Sequence, residues 1–91
     1  MAQIIIPSAL RAFTNQQTRL EVTGNTVGEL FNDLTRRFPE LHRHLLDEQG
    51  RLRKFVNVFV GNEEIRYLQN EATLVTAHDE VSIVPSVAGG R

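Results

Sequence analysis

The chain has 91 residues, 41% of them hydrophobic and 23% charged, which fits one globular domain with a single core and excludes two domains or a disordered polymer. A formal net charge of -1 gives no general attraction to nucleic acid or to an anionic membrane, so neither is expected as a partner. The absence of cysteine excludes a disulfide framework, a thiolate nucleophile and a thiolate metal site.

Gln3-Ile4-Ile5-Ile6 is apolar and β-branched, a first strand that Pro7 weakens at its far end and that Leu10 and Phe13 could extend. A polar turn region, Thr14 to Gln17, follows. Thr18 to Thr23 alternates with a period of two and places Leu20 and Val22 inward, so the two strands should form a hairpin. Thr26-Val27-Gly28-Glu29 reads as a capping box. Val27, Leu30, Phe31, Leu34 and Phe38 then recur at helical spacing, with Asn32, Asp33, Arg36 and Arg37 on the other face, until Pro39 ends the helix.

Residues 40–47 suit a short helical turn with Leu41, Leu45 and Leu46 at the core edge, and Asp47 to Arg51 a loop. Phe55 to Val60 is a strong strand, and Gly61-Asn62 turns it into Glu63 to Tyr67. Residues 68–78 look irregular, anchored by Leu74 and Val75. Asp79-Glu80 reads as a turn and Val81 to Pro85 as the last strand. The order β-β-α-short helix-β-β-β predicts an α+β roll of the β-grasp (ubiquitin-like) kind, a mixed sheet crossed by one main helix, with the last strand beside the first. The expected organisation is a body over residues 1–86 and a flexible diglycine tail over 87–91. With no basic n-region and only a short apolar run at the N-terminus, the expected location is the cytoplasm.

Little in this body suits catalysis. His42 and His44 point to different sides of a helix and His78 is remote, so no metal site is expected. Ser8, Ser82 and Ser86 lack the glycines of a nucleophile elbow, and no phosphate-binding glycine loop is present. Arg36-Arg37 and Arg51, Arg53 and Lys54 form small basic clusters diluted by acids, solvated surface that could guide an acidic partner protein. On the strand 55–60, Val56, Val58 and Val60 share one face, and Phe55, Asn57 and Phe59 the other, less buried one. Val81 and Ile83 should face the core. Phe55, Phe59 and Val84 are then either a docking patch or a cover for the sheet margin.

The remaining feature is Val87-Ala88-Gly89-Gly90-Arg91. Two glycines contribute little to a core, yet a backbone without Cβ atoms can thread a narrow channel. The stretch Asp79 to Gly90, an acidic turn, a hydrophobic strand, a proline and a small residue leading to a diglycine, resembles the ubiquitin-like sulfur carriers of the MoaD/ThiS type. Lys54 to Val60 with Glu63-Glu64-Ile65-Arg66 resembles the CysO-like branch, linked to cysteine biosynthesis. His78 stands where relatives often place glycine.

The resemblance implies a carrier that is not itself an enzyme and is a monomer when free. It binds no cofactor. An E1-like adenylyltransferase/sulfurtransferase would use ATP and a sulfur donor to convert the Gly90 carboxylate into a thiocarboxylate. A sulfur-accepting biosynthetic enzyme would then receive the sulfur for cysteine, or for molybdopterin, thiamin or another thio-metabolite. Val87, Ala88 and Gly89 would give the terminus its reach. Arg91 departs from the pattern, because it locks Gly90 in an amide. It is either an extension removed between Gly90 and Arg91 by a JAMM-type metalloprotease or a cloning remnant. The alternatives are a ubiquitin-like modifier joined to target lysines through Gly90, and a plain interaction module with an inert tail.

Overall fold

Residues 2–85 are described by the computed structural model. The expected tail, with Val87, Ala88, Gly89, Gly90 and Arg91, lies outside them.

Five strands form one mixed sheet in the order β2-β1-β5-β3-β4. β1 (Ala2–Ile5) and β2 (Arg19–Val22) make the expected antiparallel hairpin, with Ile4 opposite Leu20. β5 (Glu80–Pro85) lies parallel to β1 on one side, and on the other it is antiparallel to β3 (Val56–Val60). The last strand therefore occupies the middle of the sheet. Two-residue β4 (Glu63–Glu64) closes the far edge, turned back from β3 at Gly61-Asn62, where Gly61 takes φ +62°. The strand expected as far as Tyr67 stops early, because Ile65–Tyr67 tightens into a 3₁₀ turn that buries Ile65.

Helix α1 (Val27–Arg37) begins as its sequence requires. Thr26 Oγ1 accepts from the Glu29 amide at 3.2 Å, and Glu29 Oε1 reaches back to accept from the Asn25 amide at 2.8 Å. Val27, Leu30, Phe31 and Leu34 are buried with Ile4, Val22, Val58, Val81 and Ile83 in one core cluster, which places α1 across one sheet face. Phe38 ends the helix ahead of Pro39. The short α2 (Glu40–Leu45) follows, and its Leu41 and Leu45, with Leu46, are buried outright instead of sitting at a core edge.

Three further expectations are corrected. Leu10 and Phe13 do not extend β1, since Ser8–Phe13 forms a 3₁₀ helix started by Pro7. The Leu10 amide donates to the Pro7 carbonyl at 3.0 Å, and residues three apart on such a turn share a side. Val75 is buried as expected, but Leu74 is 75% exposed. The backbone there is extended, bridging Leu74 to Thr26 and donating from the Val75 amide to the Asn25 carbonyl. Neighbours on such a segment point to opposite sides, so only one of the two can be inside. The turn placed at Asp79-Glu80 lies instead at Thr76–Asp79, closed by the Thr76 amide donating to Asp79 Oδ2 at 2.7 Å, and Glu80 already belongs to β5.

Candidate functional site

β5 is paired on both sides as far as Ser82 and on its β3 side through Pro85, so the sheet holds the chain up to the last described residue. Pro85 stands opposite Val56, and Val84 opposite Asn57. The tail residues singled out from sequence, Gly90 above all, therefore continue from the end of the central strand. The structure describes the base from which they depart, not the residues themselves.

The parity of the ladder sorts the strand faces as the sequence suggests. Val56, Val58, Val81 and Ile83 are buried beneath α1, while Val84 is 46% exposed on the opposite face. Phe59, half-buried, pairs with Ser82 and shares that outer face with Val84 on the neighbouring strand. Phe55, also 46% exposed, lies in the turn directly before β3. Two arginine clusters flank this apolar strip. Arg19 Nη1 donates to Gln3 Oε1 (2.7 Å) and pairs with Glu80 (2.6 Å) on one side. On the other, Arg66 Nη1 donates to Asn57 Oδ1 at 2.6 Å and lies 3.8 Å from Glu64.

Arg66 has a further role that sequence reasoning missed. β4 covers only the last two residues of β3, so the earlier carbonyls of that edge have no strand beside them. Arg66 Nη2 donates to the Lys54 and Val56 carbonyls at 2.8 and 3.2 Å and substitutes for the missing ladder. At the opposite edge, Arg37 Nη2 donates to the Glu21 carbonyl (2.6 Å) and Asp33 Oδ2 accepts from the Thr23 amide (3.0 Å), so α1 covers part of β2. Asp33 also pairs with Arg36 and, at 3.9 Å, with Arg37. Both edges thus carry side chains where a foreign strand would have to add.

Other candidates resolve into structure. His44 stacks on Phe13, ring centroids 4.6 Å apart, joining α2 to the first 3₁₀ helix. Among the described residues no group of three or more His, Asp or Glu side chains is placed to hold a metal ion. Nor is any helix among them long and apolar enough to cross a membrane. A second apolar surface, not anticipated, is formed by Tyr67, Leu68 and Leu74 around a shallow depression of about 440 Å³.

The outside comparisons agree with this geometry. The sulfur carrier protein CysO of Mycobacterium tuberculosis is 35% identical over 89 residues, 96% of each chain. A chain of the crystal structure of the Amycolatopsis orientalis BexX/CysO complex superposes with a TM-score of 0.89 at 32% identity, covering 99% of this chain and 100% of that one. The solution structure of the small archaeal modifier protein 1 of Methanosarcina acetivorans superposes at 0.84 with 26% identity, covering 98% and 95%. The ThiS family model matches residues 4–90, from the first strand through the second glycine. By sequence and by fold, the chain belongs to the ThiS family, built as a ubiquitin-like β-grasp roll.

Proposed function

We propose that this protein is a sulfur carrier whose working group is the C-terminal carboxylate of Gly90, and that it acts on behalf of enzymes without being one. The observation that carries this reading is that the family match runs through Gly90 on a fold whose central strand leads straight into that segment. Near end-to-end similarity to a sulfur carrier of the CysO type favours cysteine synthesis as the destination of the sulfur, with molybdopterin, thiamin and other thio-metabolites behind it.

In the proposed cycle a carboxylate, a poor electrophile, attacks the α-phosphate of ATP on an E1-like enzyme, giving an acyl-adenylate and pyrophosphate. Sulfide from a donor attacks the Gly90 carbonyl carbon, AMP leaves, and a thiocarboxylate remains. The ATP and the sulfur donor belong to the activating enzyme, and the carrier binds no cofactor. A sulfur-accepting biosynthetic enzyme then takes the sulfur. Arg91 must leave first. A JAMM-type metalloprotease adding water across the Gly90–Arg91 amide would release arginine and free the carboxylate. The partners dock on the outer sheet face at Phe55, Phe59 and Val84. The carrier is a cytoplasmic monomer between encounters.

The test is incubation of a chain ending at Gly90 with an E1-like enzyme, ATP and sulfide. A mass gain matching exchange of one oxygen for sulfur is expected. The similarity to an archaeal modifier protein supports a second reading, isopeptide bonding of Gly90 to lysines, and high-mass adducts without sulfur gain would favour it.

A further inference from the structure

Nine of the ten lysines and arginines lie among the described residues, and their ion pairs divide them into two sets. Arg19, Arg36, Arg37 and Arg66 pair with Glu80, Asp33 and Glu64. Arg11, Arg43, Arg51, Arg53 and Lys54 form no ion pair among the described residues.

Topology gathers four of these five at one end of the sheet. β5 ends with Pro85 opposite Val56, and Arg53 and Lys54 come just before Val56 in the chain. Arg53 Nε donates to the Arg43 carbonyl at 2.9 Å, which brings the last turn of α2 to the same place. β1 runs parallel to β5, so the 3₁₀ helix that carries Arg11 leaves the sheet at the end from which the tail departs, and Phe13 stacks there on His44. The acids of this region are engaged elsewhere in part: Asp47 Oδ1 is occupied by the Gln49 and Arg51 amides, and Glu71 Oε2 accepts from the Leu52 amide at 3.0 Å. The other end of the sheet carries Glu63 and Asp79, at the Gly61-Asn62 turn and just before β5, with Glu80 beside them paired to Arg19. At a net charge of -1 this is a separation of charge along the sheet, with the positive pole around the tail base.

Distance decides what those cations can act on. Gly90 is five residues beyond Pro85, so an extended tail carries its carbonyl up to roughly 17 Å away, well past the reach of a lysine or arginine side chain. The cations cannot sit on the reacting carbonyl while the tail is inserted in an enzyme. They face whatever frames the mouth of the channel.

We propose that Arg11, Arg43, Arg53 and Lys54 form a collar that docks on an acidic protein surface around the channel of the enzyme that activates the tail. The proposal rests on the activation reading above and adds the chemistry of the partner's rim. Charges of this kind act on encounter rate and orientation more than on the bound state. A nucleic acid fits less well, because the molecule as a whole is slightly acidic.

The experiment is ATP–pyrophosphate exchange by an E1-like activating enzyme on the chain ending at Gly90, at low and high salt. The double variant Arg43→Glu/Lys54→Glu reverses two exposed members of the collar, and Glu63→Lys reverses a charge at the far pole. The double variant should raise KM for the carrier by about tenfold at low salt, leave kcat in place and flatten the salt dependence, while Glu63→Lys changes little. Unchanged KM and salt dependence in the double variant, with the parent chain activated normally, overturns the collar and leaves the activation reading standing. Failure of the parent chain to support exchange removes both. If the double variant loses affinity for a fluorescent single-stranded oligonucleotide while exchange is unaffected, the cations serve nucleic acid and the proposal is overturned.

Discussion

Replacing Gly24 by alanine tests the account of how α1 is seated on the sheet. Gly24 takes φ +155°, and a Cβ built there would lie 2.7 Å from Glu29 Cβ and 3.0 Å from the Glu29 carbonyl carbon and the Leu30 nitrogen. Those atoms form the first turn of α1, so no side-chain rotation relieves the contact. Backbone strain of about 1–3 kcal/mol and an overpacking cost of similar size add to about 2–6 kcal/mol. That is a large share of the roughly 5–15 kcal/mol that holds a domain of this size together. Thermal and urea denaturation followed by circular dichroism should show Tm falling by at least about 10 °C. Gly61→Ala is the control. Its φ is +62°, but a Cβ there meets nothing within 4 Å, so only a backbone cost of about 1–2 kcal/mol applies. If the two substitutions cost the same, contact with α1 does not decide the position and the reasoning is wrong.

Removing the Thr26 hydroxyl in Thr26→Ala should cost about 1 kcal/mol of stability in the same denaturation assay, because the Glu29 amide loses its acceptor. Arg66→Ala should cost about 1 kcal/mol, discounted for an exposed side chain, and should produce concentration-dependent association in sedimentation velocity as the β3 edge opens. The Arg51 amide first, then the Gln49 amide and the Arg51 and Arg53 cations, hold the Asp47 carboxyl below its ordinary value. Its ordering of the 47–51 loop is therefore present above about pH 4 and lost as pH falls through the lowered value, which the Gln49 and Arg51 amide shifts should report and Asp47→Asn should abolish. Val84→Asp should raise KM for the carrier in ATP–pyrophosphate exchange about tenfold with little change in Tm, since the side chain is already half in solvent.

The main helix and the strand faces were legible because both depend on local periodicity. Five apolar residues at helical spacing after a capping threonine leave one reading, whereas the alternation of β3 showed two faces and Asn57 pointed to the less buried one. What escaped depends on contacts distant in sequence, or on a period read too coarsely. Arg66 reaches carbonyls 10 and 12 residues away, and Arg37 a carbonyl 16 away, and no local pattern announces a side chain that finishes a sheet edge. Asp33 sits on the polar face of α1 by its spacing, yet it is buried because the Thr23 amide and two arginines surround it. Leu10 and Phe13 carried a usable signal, since a three-residue interval after a proline suits a 3₁₀ turn better than a strand. The diglycine segment lies outside the described residues, and the collar proposed at its base needed the sheet order to bring four separated cations together.

The central place of β5 also orders events at birth. A nascent chain halted before Glu80 has β1 and β3 with nothing to join them, so the sheet cannot assemble until the segment next to the diglycine has been made. Truncated products that stop before Glu80 should therefore be unfolded and open to proteolysis, and quality control would leave a pool in which being folded and carrying the segment that leads to Gly90 go together.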